Sequence, residues 1–195
     1  MTGCLPDHAA SCVISAFAGR LEAGRAYAVA TVSFDERGPE HLARQPFAQV
    51  PFLEDGGIRV FESGACLLHL AEGSEVLMPV DSQGRAETQE WLVAAMNSVE
   101  IITLPWWFIG LSKPEVNPLQ DWMMKRFERL EAVLATRQWL AAGRFTVADI
   151  MMADVLRIPK NMGQLERFPA LADYVDRLCG RPAFGKAHAD QMAHF

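Results

Sequence analysis

Apolar residues in this chain recur at two periods, which divide it into a mixed first part and a helical second part. Met1 to Leu5 predicts a very short strand, and Pro6 and Asp7 a turn. Val13, Phe17 and Leu21, four apart, then predict the buried stripe of a helix over 9–23. Gly24 ends it, and Tyr27 to Phe34 alternates as a β-branched strand; strand, helix, strand in this order favours a right-handed parallel crossover. After a loop and one or two helical turns at 40–44, Val50 to Leu53 and Ile58 to Phe61 flank Asp55-Gly56-Gly57 and read as a hairpin. Glu62-Ser63-Gly64 opens the next helix.

The turn-rich stretch 73–84 marks the boundary, and no convincing strand follows it. The divisions expected are 1–76, a linker at 77–83, and an all-helical 84–195. Helices are predicted over 85–104, with Pro105 as the kink or end; over 118–141, where Leu119, Trp122, Met123, Phe127, Leu130 and Leu134 keep helical spacing; from 145 onward; and over 168–178 and 182–194. Thr146 and Asp149, three apart, read as a capping box with Asp in the usual Glu place, a structural pair.

Composition narrows the function. A net charge of −6 and no concentrated basic face argue against nucleic acid as the main partner. Four cysteines without CxxC spacing argue against a disulfide framework or a metal site, and make a reducing, cytoplasmic setting the expectation. The most apolar run, 101–111, is too short to span a bilayer, so neither a membrane segment nor a signal peptide is expected. GxGxxG, P-loop and HExxH signatures are absent. What remains is the start of the helix after the hairpin, whose free backbone N–H groups at the positive end of a dipole suit a small anion such as a carboxylate.

Three motifs, in order, carry a resemblance across nearly the whole chain: Gln49-Val50-Pro51 leading into Phe52-Leu53, Glu62-Ser63-Gly64-Ala65, and Gly143 through Asp149. Together they resemble the glutathione S-transferase family, and residues 168–184 resemble its bacterial members in particular. The resemblance implies an α/β thioredoxin-like domain followed by an all-α domain, a homodimer, glutathione as co-substrate without a metal, and a small apolar electrophile. It implies that Ser63 holds the γ-glutamyl carboxylate and Glu62 faces the ammonium. If the Val50-Pro51 bond is cis, Val50, between Gln49 and Pro51, docks the tripeptide's cysteine as an added strand.

For the thiolate, the family uses a Tyr, Ser or Cys near the start of the first helix. That region here has no tyrosine; Ser11 and Cys12 stand nearest, resembling part of the zeta-class Ser-Ser-Cys motif, with either one as the sulfur-facing group. Their other readings are a helix N-cap for Ser11 and an inert buried thiol for Cys12; His8 reads as a solvated loop residue, and Cys4 and Cys66 as structural. Met96, Trp106, Trp107 and Phe108 are candidates for the wall of the second-substrate pocket, against core or dimer contact as the alternative. Two rival functions stay open: a non-catalytic binder of glutathione or an apolar ligand, and thiol exchange through Cys12.

Overall fold

A computed structural model describes residues 11–31 and 37–194, with only the backbone of residues 11–15. Two compact units emerge: 1–77 together with 181–195, and 78–180. The last helix therefore packs with the first unit, whereas the sequence pattern groups it with the helical domain.

In the first unit, α1 (Ser11–Glu22) and α2 (Pro39–Leu42) precede a hairpin of β1 (Phe52–Asp55) and β2 (Ile58–Phe61), then α3 (Ser63–Ala71). The hairpin turn is Gly56-Gly57 with φ of 58° and 88°, the left-handed pair that a two-residue hairpin loop demands and that glycine adopts without strain. Helix α1 meets α3 through small residues. Ala16 and Ala18 are buried, and a Cβ on Gly19 would stand 2.6 Å from a Leu67 methyl, which is why the helices approach closely here. Phe17 and Leu21, expected in the buried stripe, are half-buried. Residues 27–31 form no strand ladder among the described residues; the strand expected to pair with them, 1–5, and residues 32–34 lie outside those described.

The closing helix α9, after α4–α8 of the second unit, is Pro182–Met192. It is tied to the chain's beginning: Arg181 donates to both carboxylate oxygens of Glu22 at 2.6 and 2.8 Å, and the Tyr27 hydroxyl donates to Asp190, which also pairs with Lys186. A second electrostatic knot closes the hairpin. Asp55 accepts from His69 Nε2 at 3.0 Å and meets Arg25 at 3.1 Å and Arg20 at 3.5 Å. The histidine hydrogen bond, then the two guanidinium charges, hold its carboxyl below the usual carboxylate range. Because the folded value is depressed, this contribution is complete above the ordinary carboxylate pKa and disappears as pH falls through the folded one. Thermal melts from pH 6 to 2 should show a steep acid decline, and Asp55→Asn should melt lower at pH 6 with a shallower decline; parallel curves would refute it.

The second unit is helical. Helix α4 (Ser82–Ala94) passes through a π-helical turn, Ala95–Glu100, into α5 (Ile101–Leu111), followed by α6 (Gln120–Leu134), α7 (Val147–Asn161) and α8 (Pro169–Cys179). The helix runs through Pro105 instead of ending there. A proline inside a helix costs about 3 kcal/mol, which burial of Ile102, Trp106 and Trp107 outweighs at about 1.5–3 kcal/mol each. Helix α6 stops at Leu134, short of the expected 141, because Leu140 turns inward and its N–H is taken by Asp149 at 3.0 Å. The core comprises Leu92, Met123, Phe127, Met151, Met152, Leu156 and Tyr174, and α7 is buried almost throughout.

Candidate functional site

The hairpin register does the assembling. Phe52 pairs with Phe61, so the residues just outside the ladder, Pro51 and Glu62, leave the sheet at the same end. Val50-Pro51 and Glu62-Ser63, separate motifs in the sequence, thereby become neighbours. The Val50-Pro51 peptide bond is cis. The Val50 N–H and C=O make no hydrogen bond among the described residues, leaving an open donor and acceptor at this edge.

Helix α3 starts without a side-chain cap. Three other helix starts have side-chain acceptors: Asp81 accepts from Gly84 N–H in α4, Thr146 and Asp149 cap α7, and Glu131 accepts from Ala170 and Leu171 at the start of α8; α2, α6 and α9, like α3, have no side-chain cap. Ser63 is buried and its side chain stands at the open α3 terminus, where backbone N–H groups and the helix dipole favour an anion. Glu62 is exposed, with φ of 69°, a left-handed conformation that a non-glycine residue holds only when its surroundings fix it; here a strand precedes it and a helix follows. Its charge and, more strongly, burial push the Cys66 thiol up to about 12, so Cys66 is an inert packing residue.

The loop leading to Val50 is clamped by two side chains that sequence reasoning did not single out in this role. Gln45, itself buried, accepts the Phe47 N–H at 2.7 Å, and His41 Nε2 meets the Gln49 carbonyl at 2.9 Å while the Gln49 side chain is exposed. Between them Ala48 sits at φ of 56°. A left-handed alanine costs about 1–2 kcal/mol, so Ala48→Gly should raise stability by about 1 kcal/mol net of glycine's own flexibility; chemical denaturation measures it, and no gain would mean that the loop relaxes around alanine.

Also within the first unit, a cavity of about 560 Å³ is bordered by Phe17, Arg37, Val50, Pro51, Phe52 and Gln191. Arg37 brings a cation to the cavity that Val50 lines. A lone arginine before Gly38-Pro39 ordinarily reads as a solvated loop charge, so nothing in the pattern marks it. Ser11 and Cys12 lie in the first turn of α1 with side chains outside the described residues, as are His8 and Cys4 entirely.

The pocket-wall candidates all belong to the second unit. Trp106 and Trp107 are buried, and the Trp106 indole N–H donates to Gln120 at 2.6 Å, so both serve its core. Met96 is half-buried in the π-helical turn, and Phe108 is 55% exposed with its ring edge-on to Trp107. The capping pair is structural, as its spacing indicates: Asp149 accepts from the Thr146 N–H and hydroxyl, the Leu140 N–H and the Tyr174 hydroxyl.

Residues 5–72 match the family model for the glutathione S-transferase N-terminal domain, and residues 86–182 match the C-terminal domain. Glutathione S-transferase 4 of Zea mays is 30% identical, over 78% of this chain and 74% of that protein. Glutathione S-transferase GstA of Escherichia coli O157:H7 is 25% identical over 88% and 90%. Among solved structures, a Pseudomonas putida glutathione transferase with one glutathione disulfide per subunit aligns with a TM-score of 0.82 at 24% identity, over 91% of this chain and 86% of that one. A Pseudomonas fluorescens pf-5 family member with two glutathione bound gives the same score and identity, over 91% and 88%. These likenesses show the fold, a thioredoxin-like α/β domain followed by a helical one. With both domain models matched in order, the chain belongs to the glutathione S-transferase family.

Proposed function

We propose that this protein is a glutathione-dependent transferase that activates the glutathione thiol for attack on a small apolar electrophile. One observation carries the reading: the hairpin register joins an open backbone donor and acceptor at Val50 to an uncapped helix start at Ser63. Glutathione presents a matching series of groups. Its γ-glutamyl carboxylate would lie at Ser63 and the α3 N–H groups, its ammonium at Glu62, and its cysteinyl backbone on Val50 as an added strand beside Gln49 and Pro51. Its second carboxylate, on glycine, would find a cation in Arg37.

The chemical step is nucleophilic. A hydrogen bond from Ser11 or Cys12 to the sulfur would favour the thiolate; the proton leaves to solvent, the sulfur lone pair forms a thioether bond to the electrophile, and a leaving group or an added proton completes the product. Lowering a thiol pKa by about 2 units takes roughly 2.7 kcal/mol, and a hydrogen bond to a charged group supplies about 1.5–3 kcal/mol. Met96 and Phe108 have the accessible surface to line the electrophile's pocket, with Trp106 and Trp107 backing them. The reading includes a homodimer in the reducing cytoplasm.

Calorimetric titration with glutathione beside an aryl-halide conjugation assay tests it. Binding with turnover supports a transferase; binding without turnover over a broad electrophile panel makes the protein a binder only. A glutathione adduct on Cys12 after treatment with oxidised glutathione would instead favour thiol exchange. A monomer mass in light scattering at micromolar concentration would remove the dimer.

A further inference from the structure

His41 is a buried imidazole that the proposed chemistry leaves unused. It sits in α2, its ring edge-on to Phe52 with centroids 5.5 Å apart, and its Nε2 lies 2.9 Å from the Gln49 carbonyl oxygen. A carbonyl can only accept, so Nε2 carries the proton and donates. Nδ1 is buried with no hydrogen-bond partner.

The carbonyl that His41 holds belongs to the peptide unit whose N–H is that of Val50. A trans peptide is planar, with C=O and N–H pointing in opposite directions, so fixing one fixes the other. Gln49 is exposed, and its backbone would otherwise be free to rotate within a loop that already contains a left-handed Ala48. The bond to His41 turns the Gln49 carbonyl inward and the Val50 N–H outward, and by polarising the amide it makes that N–H a better donor.

We infer that His41 is a positioning residue: through the Gln49–Val50 peptide plane it aims the Val50 N–H at the ligand edge. The inference rests on the glutathione reading for the identity of the ligand, but the hold on the peptide plane is a property of the chain itself.

The test uses the full chain, S-methylglutathione as a probe that cannot react through its sulfur, and two substitutions. His41→Leu removes the donor at similar size, and His41→Gln keeps an N–H for the carbonyl. His41→Leu should weaken probe binding by about tenfold, the loss expected for one well-aimed hydrogen bond, while His41→Gln stays within about threefold of the unsubstituted chain. Amide nitrogen relaxation should show the Val50 N–H more mobile in His41→Leu than in His41→Gln, with melting temperature recorded to confirm folding. Equal binding by His41→Leu and the unsubstituted chain overturns the inference, as does an equal loss in both variants, which would mark a packing role. If the unsubstituted chain fails to bind the probe, the glutathione reading falls, and Val50 amide relaxation still decides the hold on the plane: an unchanged order parameter in His41→Leu refutes it, a lower one supports it.

Discussion

Ser63→Ala is expected to weaken glutathione binding by about 10- to 100-fold, the cost of losing a hydrogen bond to a charged group. The hydroxyl stands at a helix start that no side chain caps, and the residue is buried, so the bond is poorly screened by water. Alanine leaves the backbone N–H groups and the helix dipole in place, so binding should be weakened and not abolished. Ser63→Thr retains a hydroxyl and should recover part of the loss. Since the proposed contact is to the γ-glutamyl carboxylate, a glutathione analogue lacking that group should bind the original chain and the alanine variant equally. Calorimetry on these combinations checks the assignment; an unchanged affinity in Ser63→Ala would remove Ser63 from the site.

The largest loss of stability is expected for Asp149→Ala. Its carboxylate is fully buried and collects the N–H groups of Leu140 and Thr146 and the hydroxyls of Thr146 and Tyr174. Burial pushes this carboxyl above its usual range, and the donors pull against that without overcoming it. Alanine would leave those donors buried and unpaired, at about 1–3 kcal/mol for each that finds no new partner and about 3–5 kcal/mol together. The melting temperature should fall by about 6–20 °C for a chain of this size. Asp149→Asn keeps an acceptor but turns N–H groups toward existing donors, and should fall between. Tyr174→Phe removes a single donor and should cost least. A fall of under a degree in Asp149→Ala would mean that the start of α7 is held by other contacts.

What was legible in the sequence was what neighbouring residues decide. Gly56-Gly57 specifies its hairpin because both positions have positive φ, and the Thr146–Asp149 spacing gives the start of α7 because both ends of the box lie within one turn. The site's two halves were legible as motifs, but only the Phe52–Phe61 pairing makes them neighbours. Distance along the chain hid the rest. Arg181 meets Glu22 across 159 residues, and no local pattern assigns α9 to the first unit. Pro105 reads as a kink or an end of its helix because its penalty is local, whereas the burial that outweighs it and carries the helix on is tertiary. His41 escaped notice because its role is exerted through a backbone carbonyl, which leaves no mark on side-chain spacing.

The placement of α9 bears on how the chain is made. Residues 78–180 are, in connectivity, an insertion into a unit whose own two pieces bracket them. During synthesis residues 78–180 leave the ribosome and can pack before residues 181–195 emerge, whereas the first unit has yet to receive Arg181 and the helix carrying Asp190. The segment holding Val50 and Ser63 is thus made early, and its unit is completed only after the inserted helices. A nascent chain stopped just after Cys179 would carry every residue assigned to the ligand while lacking a helix of the unit that presents them.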